Sequence, residues 1–190
     1  MDAFTTSTAV VALAEIGDKT QLLAILLATR FRKPVPIILG ILFATIANHA
    51  LAALVGVKAA SLLDSEYFRY AVGIAFVVMA AWTLIPDKFE DDDAPKNRSG
   101  AFLTTLVAFF LVEMGDKTQV ATIALGAQYQ DLLWVTAGTT LGMMLANVPA
   151  IFLGQALLQR VDLAKVRFVA AALFLIIGLW VIAQTAGLIS

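Results

Sequence analysis

No cysteine occurs anywhere in the chain, which excludes disulfides, thiolate metal sites and thiol catalysis. Charge is scarce: Asp, Glu, Lys and Arg make up 14% of the 190 residues, and there is one histidine. The formal net charge of −1 argues for neither an acidic nor a basic partner. No basic face interleaved with aromatics points to nucleic acid. The opening residues, MDAFTTSTAV, lack the positive n-region and small-residue cleavage site of a signal peptide, so the first apolar segment reads as a retained helix. What the chain has in abundance is apolar surface, with 61% hydrophobic residues and a mean hydropathy of +0.88. A soluble domain is nearer about half apolar, and the excess implies a lipid solvent.

A helix crosses a bilayer core with about 20 apolar residues. Six segments meet that requirement: residues 3–29, 34–60, 68–85, 101–127, 132–158 and 166–188. The conspicuously polar connection is PDKFEDDDAPKNRSG at 86–100, with two prolines and four consecutive acids at 90–93, and it reads as a solvated linker.

A shift of 98 residues aligns the two halves without a gap. Phe4 then meets Phe102, Glu15 meets Glu113, and the run G-D-K-T-Q meets itself. Further on, Gly40 meets Gly138, Gly56 meets Gly154, Asp64 meets Asp162, Arg69 meets Arg167 and Trp82 meets Trp180. Matches across three segments at one offset indicate an internal repeat. The expected fold is therefore an all-α membrane protein of six transmembrane helices, built as two inverted three-helix repeats. Residues 1–86 form the first repeat, 87–100 an acidic cytoplasmic linker and 101–190 the second repeat, together making one integral membrane domain.

The repeats are expected to be inverted because three crossings per half is an odd number. Loop charge agrees. Arg30, Arg32, Lys33, Lys88, Lys96, Arg98, Arg160, Lys165 and Arg167 fall on one side, against Lys58 and Arg69 on the other. The positive-inside rule then puts both termini outside the cytoplasm and the linker inside. Inverted repeats are a common transporter plan, with the substrate site near mid-membrane where the repeats meet.

The chemistry concentrates in LAEIGDKTQL at 13–22 and its copy LVEMGDKTQV at 111–120. On a continuous helix Glu15, Asp18 and Gln21 share a face, as do Glu113, Asp116 and Gln119. Bringing the two faces together yields four carboxylates and two amides, all oxygen donors suited to hard cations such as Mn2+, Mg2+ or Ca2+. Gly17 and Gly115 allow a bend or close backbone approach. Each motif sums to −1 with its lysine, so the pair carries −2, matching one divalent cation or two protons. Competition of a cation and protons for one set of carboxylates is the minimum machinery of an antiporter. The alternative is a self-neutralising packing device, since Lys19 stands four residues after Glu15, and Lys117 after Glu113. Charges at bilayer depth cost on the order of 3 kcal/mol each, and that cost favours function.

Other polar groups are secondary candidates. Thr20, Thr118, Asn48 and Asn147 are expected to complete a coordination shell or to bond across helices, and Lys19 and Lys117 to tune the field. The offset sets His49, not Asn48, against Asn147. His49 is expected to pack or relay protons rather than ligate, having no second histidine opposite. Gly40, Gly56, Gly138, Gly142 and Gly154 are expected to permit close helix packing, Pro149 to kink its helix near Asn147, and Trp82, Trp134 and Trp180 to anchor at the interface.

These motifs resemble a known family. Glu15-Ile16-Gly17-Asp18-Lys19-Thr20 and Glu113-Met114-Gly115-Asp116-Lys117-Thr118 fit E-x-G-D-[KR]-[TS]. That pattern is similar to the paired motifs of cation/proton antiporters that move Mn2+ and Ca2+. The family has Golgi and chloroplast-envelope members and bacterial manganese exporters, and is grouped with the lysine-exporter superfamily. The resemblance covers essentially the whole chain. It implies that Glu15, Asp18, Glu113 and Asp116 form a cation site. It implies a transporter rather than an enzyme, with Mn2+ or Ca2+ as transported substrate, protons as counter-ion and no permanently bound cofactor. The short chain looks like the bacterial branch, hence a multi-pass protein of the cell (inner) membrane in contact with lipid, its oligomeric state open. Three other readings stand beside it: export of a cationic amino acid such as lysine, an intramembrane aspartyl hydrolase using Asp18 and Asp116, and a passive channel.

Overall fold

The computed structural model describes residues 2–63, 65–86, 100–154 and 162–189, and every regular element among them is an α-helix. The helices are α1 (Ala3–Glu15), α2 (Lys19–Phe31), α3 (Pro34–Leu62), α4 (Glu66–Thr83), α5 (Ala101–Glu113), α6 (Lys117–Tyr129), α7 (Leu132–Leu153) and α8 (Leu163–Thr185). Three of them, α3, α7 and α8, are each long and apolar enough to cross a membrane. Large apolar side chains such as Phe43, Leu51, Val55, Ile176 and Leu179 cover the outside. In water such a surface would aggregate, and in lipid it is the expected exterior. The chain is an all-α membrane protein.

Local signals account for the boundaries. Asp2 accepts the Thr5 N–H at 2.8 Å to cap α1, Asp131 caps α7 through Trp134, and Asp162 caps α8 through Lys165. The same bonds hold the carboxyls of Asp2 and Asp162 below the usual carboxylate range. Pro34 opens α3, where a missing N–H costs nothing. Arg32 ends α2 and Gln130 ends α6 in the left-handed region, both at φ 52°, and the two are 98 residues apart.

The segments expected as single helices at 3–29 and 101–127 are each broken in two. At the first break Ile16 (φ −66°, ψ 114°) and Gly17 (φ +82°) are the central residues of a type II turn, closed by the Asp18 N–H donating to the Glu15 carbonyl at 3.1 Å. At the second, Met114 (φ −66°, ψ 120°) and Gly115 (φ +78°) repeat it, with Asp116 N–H to the Glu113 carbonyl at 3.2 Å. The second central position of this turn needs a positive φ, which is why glycine stands third in each motif. Glu15 and Asp18 therefore do not share one helical face: Glu15 ends α1 and Asp18 is the N-cap of α2.

Packing runs mainly between the halves of the chain. α1 packs on α7 and α5 on α3, α6 packs on α3 and α2 on α7, and α4 packs on α8. Small residues set the approach. A Cβ on Gly138 would lie 2.5 Å from the Phe4 carbonyl oxygen, and one on Gly40 would lie 2.9 Å from that of Phe102. Gly142 stands equally close to Thr8 of α1, and Gly56 meets the backbone of Ile123 in α6. Gly154, expected to permit close packing, ends α7 at φ +57°, and no described residue lies within 4 Å of where a Cβ would be. Pro149 lies inside α7, which continues to Leu153. Trp134 and Trp180 are half-exposed, as interfacial anchors would be, and Trp82 leans on the core. The acidic run at 90–93 and most of the linker lie outside the described residues, as do Asp64 and Arg160.

Candidate cation site at two broken helices

A turn in the middle of an apolar protein strips backbone groups of their helical partners, and lipid offers none in return. The two glutamines answer this need. Gln21 Oε1 accepts the Gly17 N–H at 2.9 Å, and Gln119 Oε1 accepts the Gly115 N–H at 2.7 Å. This is a capping box shifted by one residue, with glutamine at the third helical position reaching back across the turn. The amide nitrogens then cross to the other half. Gln21 Nε2 donates to the Ala146 carbonyl of α7 at 2.8 Å, and Gln119 Nε2 donates to Asn48 Oδ1 of α3. Ala146 and Asn48 are 98 residues apart, so each break is tied to the equivalent place on the opposite long helix. Gln21 and Gln119, expected as ligands, thus have both ends of their amides engaged in holding the breaks.

The carboxylates are deeply buried. Glu15 and Glu113 have no exposed surface, and Asp18 and Asp116 are 3% and 4% exposed. Glu15, Glu113 and Asp116 each offer a carboxylate oxygen, and the three oxygens lie within 4.8 Å of one another. Asp18 is not in that group: its side chain accepts the Lys19 N–H at 2.8 Å at the start of α2. Hydroxyls sit on the glutamates in matching fashion, Thr20 Oγ1 donating to Glu15 Oε2 at 2.5 Å and Thr118 Oγ1 to Glu113 Oε2 at 3.2 Å. Glu15 Oε1, Glu113 Oε1 and Asp116 Oδ2 make no hydrogen bond among the described residues. Buried oxygens in that state are costly unless a cation or a proton accompanies them.

Both lysines make contacts outside their own motifs, which helical spacing did not suggest. Lys19 Nζ lies 3.1 Å from Asp116 Oδ1, joining the two halves, and Lys117 Nζ donates to the Ile85 carbonyl at 3.0 Å. The break explains the change. Once Glu15 and Lys19 are on different helices, the i, i+4 relation no longer exists. Sequence reasoning missed this crossed pair, and the only available signal was the repeat itself.

The secondary candidates divide. Asn48 is bound up with Gln119 and faces the Phe110 carbonyl at 3.4 Å. Asn147 Nδ2 donates to the Met143 carbonyl one turn back at 3.0 Å. His49 is fully buried, with Nε2 3.4 Å from Glu113 Oε2 but out of hydrogen-bonding alignment.

A family model described as "Divalent cation/proton antiporter GDT1" matches residues 3–91 and 101–188, nearly the whole chain. A Vibrio cholerae protein named "Putative manganese exporter" is 51% identical over 180 residues, covering 94% of this chain and 90% of the relative. An Arabidopsis thaliana "GDT1-like protein 5" is 28% identical over 218 residues, covering 94% of each chain. A GDT1-like protein of Synechocystis is 27% identical over 195 residues, covering 92% of this chain and 93% of its own. No solved structure gives a significant match.

Proposed function

The chain belongs to the divalent cation/proton antiporter GDT1 family, and on that premise we propose that it exports Mn2+ from the cytoplasm in exchange for protons, with Ca2+ as a second substrate. Membership of a transporter family excludes the hydrolase, and a divalent cation as cargo displaces the cationic amino acid. Manganese is favoured by the name of the Vibrio relative, whose 51% identity runs almost end to end.

The observation that carries the site is the convergence of Glu15, Glu113 and Asp116 from both halves, all buried, with ligand oxygens within 4.8 Å. Lys19 balances Asp116, which leaves the charge of Glu15 and Glu113 to be met by one divalent ion or by two protons. A site that must be neutral in low dielectric, and has two ways of becoming so, exchanges one for the other. Asp18 belongs to the proposed set as the cap that holds α2 against the site. Thr20 and Thr118 orient the glutamates.

The proposed architecture is six crossings in two inverted repeats, 1–86 and 101–190, with α1–α2 and α5–α6 each crossing as one broken span. Support comes from contacts between equivalent residues: Glu15 approaches Glu113, and the rings of Phe76 and Phe174 lie 6.4 Å apart. Elements that meet their own copies are the mark of a two-fold relation. Loop charge supports cytoplasmic placement of the linker and outside placement of both termini. The test is accumulation of Mn2+ and Ca2+ in inverted vesicles with and without an imposed pH gradient. Uptake driven by the gradient is expected, and uptake indifferent to it refutes antiport in favour of a channel.

A further inference from the structure

We propose that the chain binds a glycerophospholipid with an amine-bearing headgroup in two adjoining cavities where α4, α6 and α8 meet. This site is separate from the paired acids and does not depend on the antiport reading. It lies at the end of α6 away from the Lys117 break, about 20 Å along that 13-residue helix. The first cavity, of about 300 Å3, is polar, with Arg69, Gln128, Gln130, Gln184 and Thr185 on its walls. The second, of about 320 Å3, is a groove between α6 and α8 walled by Leu173, Ile176, Ile177 and Trp180, with Tyr129 beside them. Gln128, Val181 and Gln184 belong to both, so the two adjoin. A polar chamber next to an apolar groove matches a lipid headgroup and its acyl chain. Tyr129 and Trp180 place the junction at the level where aromatic side chains mark the membrane boundary.

The chamber has two electrostatic sides. Arg69 stands at the start of α4, where the helix dipole is positive, and its five N–H donors can serve a phosphate besides a protein partner. Opposite it, α6 and α8 bring the negative ends of their dipoles, and the three glutamines each offer an amide oxygen. An ammonium fits those oxygens. A purely anionic headgroup would meet one positive side chain and two negative helix ends. The repeat sharpens the contrast: at the offset of 98 residues Arg69 matches Arg167, whereas Gln128 and Gln130 match Arg30 and Arg32. The equivalent positions therefore hold three arginines in one set and one arginine with two amides in the other. Only the second set is of mixed polarity, as a zwitterion requires.

The test is native mass spectrometry of the full chain in mild detergent, with phosphatidylethanolamine or phosphatidylglycerol added at equal concentration. One phosphatidylethanolamine per chain is expected to be retained, in preference to phosphatidylglycerol. Arg69→Gln is expected to weaken that retention by about tenfold or more, through loss of a charge-assisted bond to the phosphate. No retained lipid, equal or better retention of phosphatidylglycerol, or unchanged retention in the variant each overturns the proposal. Thermal unfolding of the wild-type protein supplies an arm that needs no variant. Phosphatidylethanolamine is expected to raise the melting temperature, while inorganic phosphate and glycerophosphoethanolamine, which lack acyl chains, leave it unchanged. Equal stabilisation by either chain-free compound would overturn the lipid in favour of a small polar ligand.

Discussion

Glu15 and Glu113 end helices at fully buried positions, and each keeps one oxygen outside any hydrogen bond among the described residues. Glu15→Gln and Glu113→Gln are each expected to abolish proton-driven Mn2+ uptake in inverted vesicles, because a neutral amide neither balances the cation nor exchanges a proton. Full activity in either variant would remove that residue from the site. The glutamines behave differently. Replacing Gln21 by Met leaves the Gly17 N–H and the Ala146 carbonyl without their partner, at a cost of about 1–3 kcal/mol. Gln119→Met repeats this at the second break. Thermal unfolding in detergent checks both, and the loss should appear whether or not Mn2+ is present. A loss seen only with metal present would instead make the amides ligands. The Lys19–Asp116 pair is testable by a double-mutant cycle with Lys19→Met and Asp116→Asn. A coupling of about 1–3 kcal/mol is expected for residues in direct contact, and additive effects would show that the two act separately.

At the scale of elements, each motif is the code for a helix–turn–helix interruption. Glutamate closes the first helix, glycine supplies the positive φ, aspartate stands at the N-cap of the second helix, with a side-chain capping bond at Asp18, and glutamine ties the turn to the opposite half. Helix packing depends on the small residues. A methyl group on Gly56 would collide with the Ile123 carbonyl and approach the Ala127 nitrogen to 2.7 Å, both backbone atoms that cannot rotate away. Gly56→Ala is therefore expected to destabilise the protein by about 1–3 kcal/mol, the usual penalty of overpacking. Gly100→Ala has no such neighbour among the described residues, and its effect should come from its positive φ (46°). Melting temperatures of the two variants in one detergent make the comparison. Equal losses would mean that α3 and α6 can separate without penalty.

The whole molecule is interleaved: α1 and α2 lean on α7, and α5 and α6 lean on α3. Neither half buries its own apolar faces, so residues 1–86 or 101–190 expressed alone should yield no monodisperse species in detergent, while the two co-expressed should. A stable isolated half would overturn this account of the packing. Topology is open to a simple measurement, because the chain has no cysteine to confuse it. A single Ser99→Cys in the linker should resist an impermeant thiol reagent applied outside intact cells and react after lysis. Labelling from outside would reverse the proposed orientation.

Composition, the 98-residue repeat and the duplicated motif are properties of the chain order. They were sufficient to determine that this is a helical membrane protein with buried paired acids, and to point to its family. Apolar excess and periodicity survive any rearrangement of helices, which is why they could be read early. Three things required the tertiary structure. The motif glycines read as allowing a bend, but only backbone dihedrals reveal a full type II turn that splits the helix and ends the Glu15–Lys19 spacing. The crossed partners, Lys19 with Asp116 and Gln21 with Ala146, depend on how two halves interlock, a relation absent from any linear spacing. His49 is expected from the sequence to pack or to relay protons, with no second histidine opposite it. Its place beside Glu113 was decided by the docking of α3 on α5, which brings together residues 64 positions apart in the chain.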